Sequence, residues 1–101
     1  MAVVFVQEWD SGDDRSTTNY DAVAAEIAPE ADKPEGLIVH TAGFTADGVF
    51  RIFDVWESED HLKRFESERL MPAVQKALGT DGGAGPPSRQ YTYELHDVVR
   101  G

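Results

Sequence analysis

The sequence predicts an α+β fold with the element order βαββαβ, and three features predict it. Two apolar runs, GLIVHTAGFT and VFRIFDVWE, flank an Asp47-Gly48 dipeptide of the kind that closes tight hairpins. A helix-like stretch follows Thr17-Thr18 and another follows Ser58, and each lies between the hairpin and a strand-like run near one end of the chain. With 101 residues, 41% of them apolar and 28% charged, the chain suffices for one compact domain, expected to span residues 1–101, and is too short for two.

Residues 2–9, AVVFVQEW, begin almost continuously apolar and then alternate, as a central strand does. The polar run DSGDDRSTT ends in Thr17 and Thr18, either of which can cap a helix whose first turn carries Asp21. In that helix Tyr20, Val23, Ala24 and Ile27 form one narrow apolar stripe, and Pro29 is expected to end it before the loop PEADKPEG. The hairpin follows. Ser58 then caps a helix that opens with Glu59 and Asp60 at the positive end of its dipole and runs to about Leu78, with Pro72 expected to kink or split it. GTDGGAGPPS is a connector by composition, and RQYTYELHDVV closes the chain as an alternating strand.

This order is that of the split βαβ, or ferredoxin-like, arrangement: a four-stranded antiparallel sheet in spatial order 4-1-3-2 with both helices on one face. Val3/Phe5 and Val4/Val6 make strand one apolar on both faces, and the hairpin is apolar in part on both. Helices on one side would leave several hundred Å² of apolar sheet wet, so a homodimer burying sheet against sheet is the economical solution.

Nine Lys and Arg against nineteen Asp and Glu give a net charge of -10, which repels phosphate backbones and anionic lipid surfaces, so neither nucleic acid nor membrane is an expected partner. The chain has no Cys, which removes disulfides, thiolate metal sites and cysteine nucleophiles. The opening MAVVFVQEWD has no basic n-region or long apolar h-region, and a cytoplasmic location is expected.

The βαββαβ order, and the run FRIFDVWESEDHLKRF with a Trp closing the third strand just before a capped acidic helix, resemble the dimeric α+β barrel superfamily of antibiotic-biosynthesis monooxygenase-like proteins. The resemblance implies a dimer of ferredoxin-like chains with a small cavity in each between sheet and helices. It also implies activities that range from cofactor-independent oxygenation of polyphenolic polyketides to haem degradation. Relatives with established activity often carry a His well inside the helix after the Trp. Here that stretch reads LKRFESE, and the helix His, His61, lies in the first turn.

If the hairpin turn has two residues, Thr41 faces Asp54, His40 faces Val55 and Val39 faces Trp56. Val39, Thr41, Asp54 and Trp56 then share one sheet face, and His40, Arg51, Phe53 and Val55 the other. Asp54, among Ile52, Val55 and Trp56, is a candidate base in a desolvated setting, or a carboxylate satisfied by Thr41 or backbone. His40 and His96 are the alternative bases, on opposite edge strands, or else are hydrogen-bonded structural residues. Trp56 offers a flat wall for an aromatic ligand, Tyr91 and Tyr93 phenolic donors, and Arg51 a partner for a ligand anion or for a carboxylate of a second chain. There is no GxSxG, HExxH or phosphate-binding glycine loop.

The expected function is a cofactor-independent monooxygenation of a small aromatic or enolisable molecule. Removal of a proton by Asp54 or a strand His makes an electron-rich carbanion that O₂ oxidises, a route that calls for no cofactor and no metal. Two alternatives stay open: a non-catalytic small-ligand-binding or assembly protein whose cavity is filled by its own side chains, and an isomerase or cyclase using the same site. A cavity below roughly 300 Å³ without convergent polar groups would favour the non-catalytic reading.

Overall fold

The computed structural model of the chain describes residues 1–28, 32–79 and 87–101. Four strands, β1 (Val3–Asp10), β2 (Leu37–Phe44), β3 (Val49–Trp56) and β4 (Arg89–Glu94), form one antiparallel sheet in the order β2-β3-β1-β4, which is the expected ferredoxin-like topology. Helix α1 (Thr18–Ile27) joins β1 to β2. Between β3 and β4 run α2 (Glu59–Phe65), a π-helical turn over Glu66–Leu70, and α3 (Met71–Leu78). No helix among the described residues is long and apolar enough to cross a membrane.

β1 is central because its sequence can be buried on both sides. Val3 and Phe5 join Trp56 and Leu62 in a core on the helix-covered inner face, with Leu37 and Phe65 packed against it. Val4, Val6 and Val55 form a second cluster on the outer face, supported by Ile38, Phe53 and Leu95. Further along the outer face, buried Glu8 lies between Arg89 and Arg51 at 2.5 and 2.7 Å, and hydrogen bonds from these two hold its carboxyl below the usual range.

The hairpin departs from the expected two-residue turn. Thr45 and Val49 still pair, with the Thr45 N–H donating to the Val49 carbonyl at 2.8 Å, so the loop is Ala46-Asp47-Gly48. A type I′ turn needs φ > 0 at both central residues, but Gly48 alone has it, at 84°. The Thr45 hydroxyl secures the alternative by accepting from the Val49 N–H at 3.1 Å and donating to the Asp47 carboxylate. The extra residue moves the register by one. His40 now lies opposite Asp54, Thr41 opposite Phe53 and Val39 opposite Val55, and the pairs expected from a two-residue turn do not form. Because side chains alternate in a strand, this single step carries β2 residues to the other face. A bulge between Leu37 and Val39 ends the shifted register, so that Leu37 again faces inward beside Trp56.

The helices follow the sequence with one elaboration. Ser58 caps α2, its Oγ accepting from the His61 N–H at 3.2 Å. Upstream of Pro72 the helix widens by one residue instead of breaking: the Met71 N–H reaches back five residues to the Glu66 carbonyl. Arg69 ties this region to α1, donating to the Ile27 carbonyl at 2.6 Å. α1 ends at Ala28, in the left-handed conformation with φ 49°. Pro29, expected to end it, and most of the GTDGGAGPPS connector lie outside the described residues.

Candidate functional site

The helices do not press flat against the sheet. Between them lies a cavity of about 770 Å³, well above the size that its own side chains would be expected to fill. Its floor is the inner sheet face, including Phe5, His40, Phe50, Ile52, Asp54 and Trp56. The α1 stripe of Tyr20, Val23, Ala24 and Ile27 lines it from above, as the spacing requires.

On the floor three polar side chains form a chain of contacts. Asp54 Oδ1 is 2.6 Å from His40 Nδ1, and His40 Nε2 is 2.6 Å from the Tyr20 hydroxyl. A carboxylate only accepts, so Nδ1 carries the proton donated to Asp54, and Nε2 is left as the acceptor for the Tyr20 O–H. Burial differs along the chain: the Asp54 side chain is 7% exposed and the His40 side chain 31%, so the imidazole bridges a desolvated anion and the cavity. The hydrogen bond to Asp54 raises the His40 pKa above its ordinary value, against the opposing effect of burial. Burial, and then the negative charge of Asp54, push the Tyr20 phenol up, which keeps it neutral and a donor.

Aromatic packing fixes this geometry. The Tyr20 ring lies parallel to the His40 imidazole at 6.1 Å and meets Phe50 edge-on at 5.4 Å, while Phe44 backs Phe50 at 4.9 Å. Trp56, 1% exposed, forms another part of the wall and packs on Phe65 at 4.9 Å. Its Nε1 N–H is buried without an acceptor among the described residues, so it has a hydrogen bond to give to a ligand or a water.

Of the residues singled out from the sequence, Asp54, His40 and Trp56 come together at the cavity, and the others do not. Thr41 lies on the outer face and donates to the Phe53 carbonyl at 2.9 Å, because the register shift takes it away from Asp54. Tyr91 and Tyr93 pair with Val6 and Val4 and so share the outer face, exposed and stacked at 6.3 Å. Arg51 is opposite Gly43, not on the His40 face, and its carboxylate partner is Glu8 of its own chain. His96 lies beyond the end of β4, exposed and outside the cavity lining. Tyr20, read from the sequence only as part of an apolar stripe, is the residue missed. The signal was its hydroxyl, the one polar group in that stripe.

No family model matches the chain, and no curated protein matches it. Solved structures do. SnoaB, a cofactor-independent oxygenase from Streptomyces nogalater, superimposes with a TM-score of 0.65 at 20% identity, covering 97% of this chain and 96% of that one. A candidate antibiotic biosynthesis monooxygenase from Caulobacter crescentus gives 0.64 at 15% identity, covering 97% and 91%. Another from Chloroflexus aurantiacus gives 0.61 at 16% identity, covering the whole of both chains. At these identities the likeness is one of fold: the chain has the ferredoxin-like architecture of the antibiotic-biosynthesis monooxygenase-like proteins.

Proposed function

We propose that the chain is a cofactor-independent oxygenase acting on a small aromatic or enolisable molecule, with His40 as the base. The observation that carries this reading is the Tyr20–His40–Asp54 chain at the floor of an otherwise largely apolar cavity. Asp54 holds the imidazole in the tautomer whose Nε2 can take a proton and stabilises the imidazolium that results. Tyr20 stands on Nε2 and relays: its oxygen receives the substrate proton as its own proton passes to His40.

The chemistry balances with O₂ as co-reactant. A methylene conjugated with a ring ketone loses one proton to the relay, and the carbanion transfers electrons to O₂ and forms a C–O bond. The peroxide recovers the proton from His40 and loses water, so that CH₂ and O₂ become C=O and H₂O. The fold shared with SnoaB supports this reading. The cavity volume of about 770 Å³ and its convergent polar groups speak against a cavity filled by its own side chains.

The assembly we propose is a homodimer closed through the outer sheet face, where Val39, Tyr91 and Tyr93 are 42%, 46% and 48% exposed around the Val4–Val6–Val55 cluster. The test of function is oxygen uptake with anthrone as probe. The protein is expected to consume O₂ and form the quinone, and His40→Ala to return the rate to background. Equal rates for the two proteins would overturn the reading.

A further inference from the structure

Apart from His40, which Asp54 already holds, the charged groups of the cavity are of one sign among the described residues. Its lining contains carboxylates, Asp54 and Glu66 and, toward α1, Asp14, but no Lys or Arg. Residues 29–31 and 80–86 contain neither of these cations, so those segments have none to supply. Arg51 and Arg89 are held on the outer face by Glu8, Lys63 pairs with Glu59, and Lys76 pairs with Glu26.

Glu66 is the unbalanced member. Asp54 has His40, whereas Glu66, which opens the π-helical turn, forms no ion pair among the described residues. That turn places it: Phe65 and Glu66 recur as Leu70 and Met71 at a spacing of five, so both pairs reach the cavity where a regular helix would rotate one pair away. The preceding residue, Phe65, packs on Trp56, whose buried indole N–H has no acceptor among the described residues. Burial pushes the Glu66 carboxyl up, with Lys63, on the exposed side of the helix, opposing.

We infer that Glu66 is a specificity-determining residue, which makes this cavity accept uncharged or ammonium-bearing aromatic molecules and reject carboxylates. A ligand anion here would be buried near two carboxylates with no counter-ion, whereas an ammonium group would neutralise the charge that Glu66 otherwise holds alone. The inference rests on the cavity being the substrate site, and it goes beyond the proton transfer by naming the charge class of what enters.

The test is calorimetric titration of the whole protein at neutral pH with three probes of one shape: 2-naphthylmethylamine, 2-naphthylmethanol and 2-naphthoate. The amine and alcohol are expected to bind at least about tenfold more tightly than the carboxylate. In Glu66→Gln the amine should lose its advantage over the alcohol and the carboxylate should gain. Naphthoate binding as tightly as the alcohol, or affinities unchanged in Glu66→Gln, would overturn the inference and leave the proton-transfer reading standing. Binding of none of the three, together with no oxygen uptake from anthrone, would overturn both.

Discussion

His40 and Asp54 face each other directly across the β2–β3 ladder, with Nδ1 and Oδ1 2.6 Å apart on the helix-covered side of the sheet. Cross-strand neighbours on one face are held by the ladder itself, so the dyad depends on backbone register, which the Ala46-Asp47-Gly48 loop sets.

The first consequence concerns pH and stability. The folded-state pKa of His40 lies above the ordinary value of 6.5, raised chiefly by the hydrogen bond to Asp54. The pair's contribution is therefore fully present below the unfolded value and fades as pH rises through the raised folded value. Melting temperatures of the parent and Asp54→Asn between about pH 5.5 and 8.5 should differ most at the acidic end. A gap that widens toward alkaline pH would contradict the assignment.

Tyr20 separates relay from direct transfer. If the substrate proton passes through its hydroxyl, Tyr20→Phe should lose about 10²-fold or more in turnover. The melting temperature should change only by what one hydrogen bond of about 1 kcal/mol supports. Turnover at the parent rate would mean that the proton goes straight to Nε2.

The hairpin loop makes a prediction about folding. Gly48 has φ 84°, and a Cβ there would strike the Gly12 carbonyl oxygen, which belongs to the turn that donates to Gly48 through the Ser11 and Gly12 N–H groups at 2.9 and 3.0 Å. Gly48→Ala should destabilise by about 1–3 kcal/mol. For a domain of this size that lowers the melting temperature by roughly 5–15 °C, readable by circular dichroism. An unchanged melting temperature would show that the loop relaxes without strain.

The dimer is tested by sedimentation. A species of twice 11.1 kDa is expected at micromolar concentration, and Tyr93→Glu should shift it toward monomer by placing a charge on the outer face. A monomeric parent protein would remove the proposed assembly without touching the cavity.

The sequence made the hairpin legible, but its register depended on a three-residue loop chosen by the Thr45 hydroxyl, which the Asp47-Gly48 dipeptide does not announce. That one step decides whether Asp54 meets Thr41 or His40, so residue types could nominate both groups without showing that they touch. Tyr91 and Tyr93 failed for a related reason. Alternation shows that they share a face, but only pairing with Val6 and Val4 says which face it is. Pro72 gave notice of an irregular helix, but not of the form it takes, a widened turn over Glu66–Leu70 with Glu66 in the cavity lining.

The central claim is that His40, oriented by Asp54, removes a proton from a carbon acid in this cavity. Its most direct test is deuterium incorporation into the anthrone methylene in D₂O without oxygen, which isolates proton abstraction from everything that follows. The parent protein is expected to exchange the methylene protons well above the spontaneous rate, Asp54→Asn more slowly, and His40→Ala at the spontaneous rate. Parent-level exchange in His40→Ala would contradict the account.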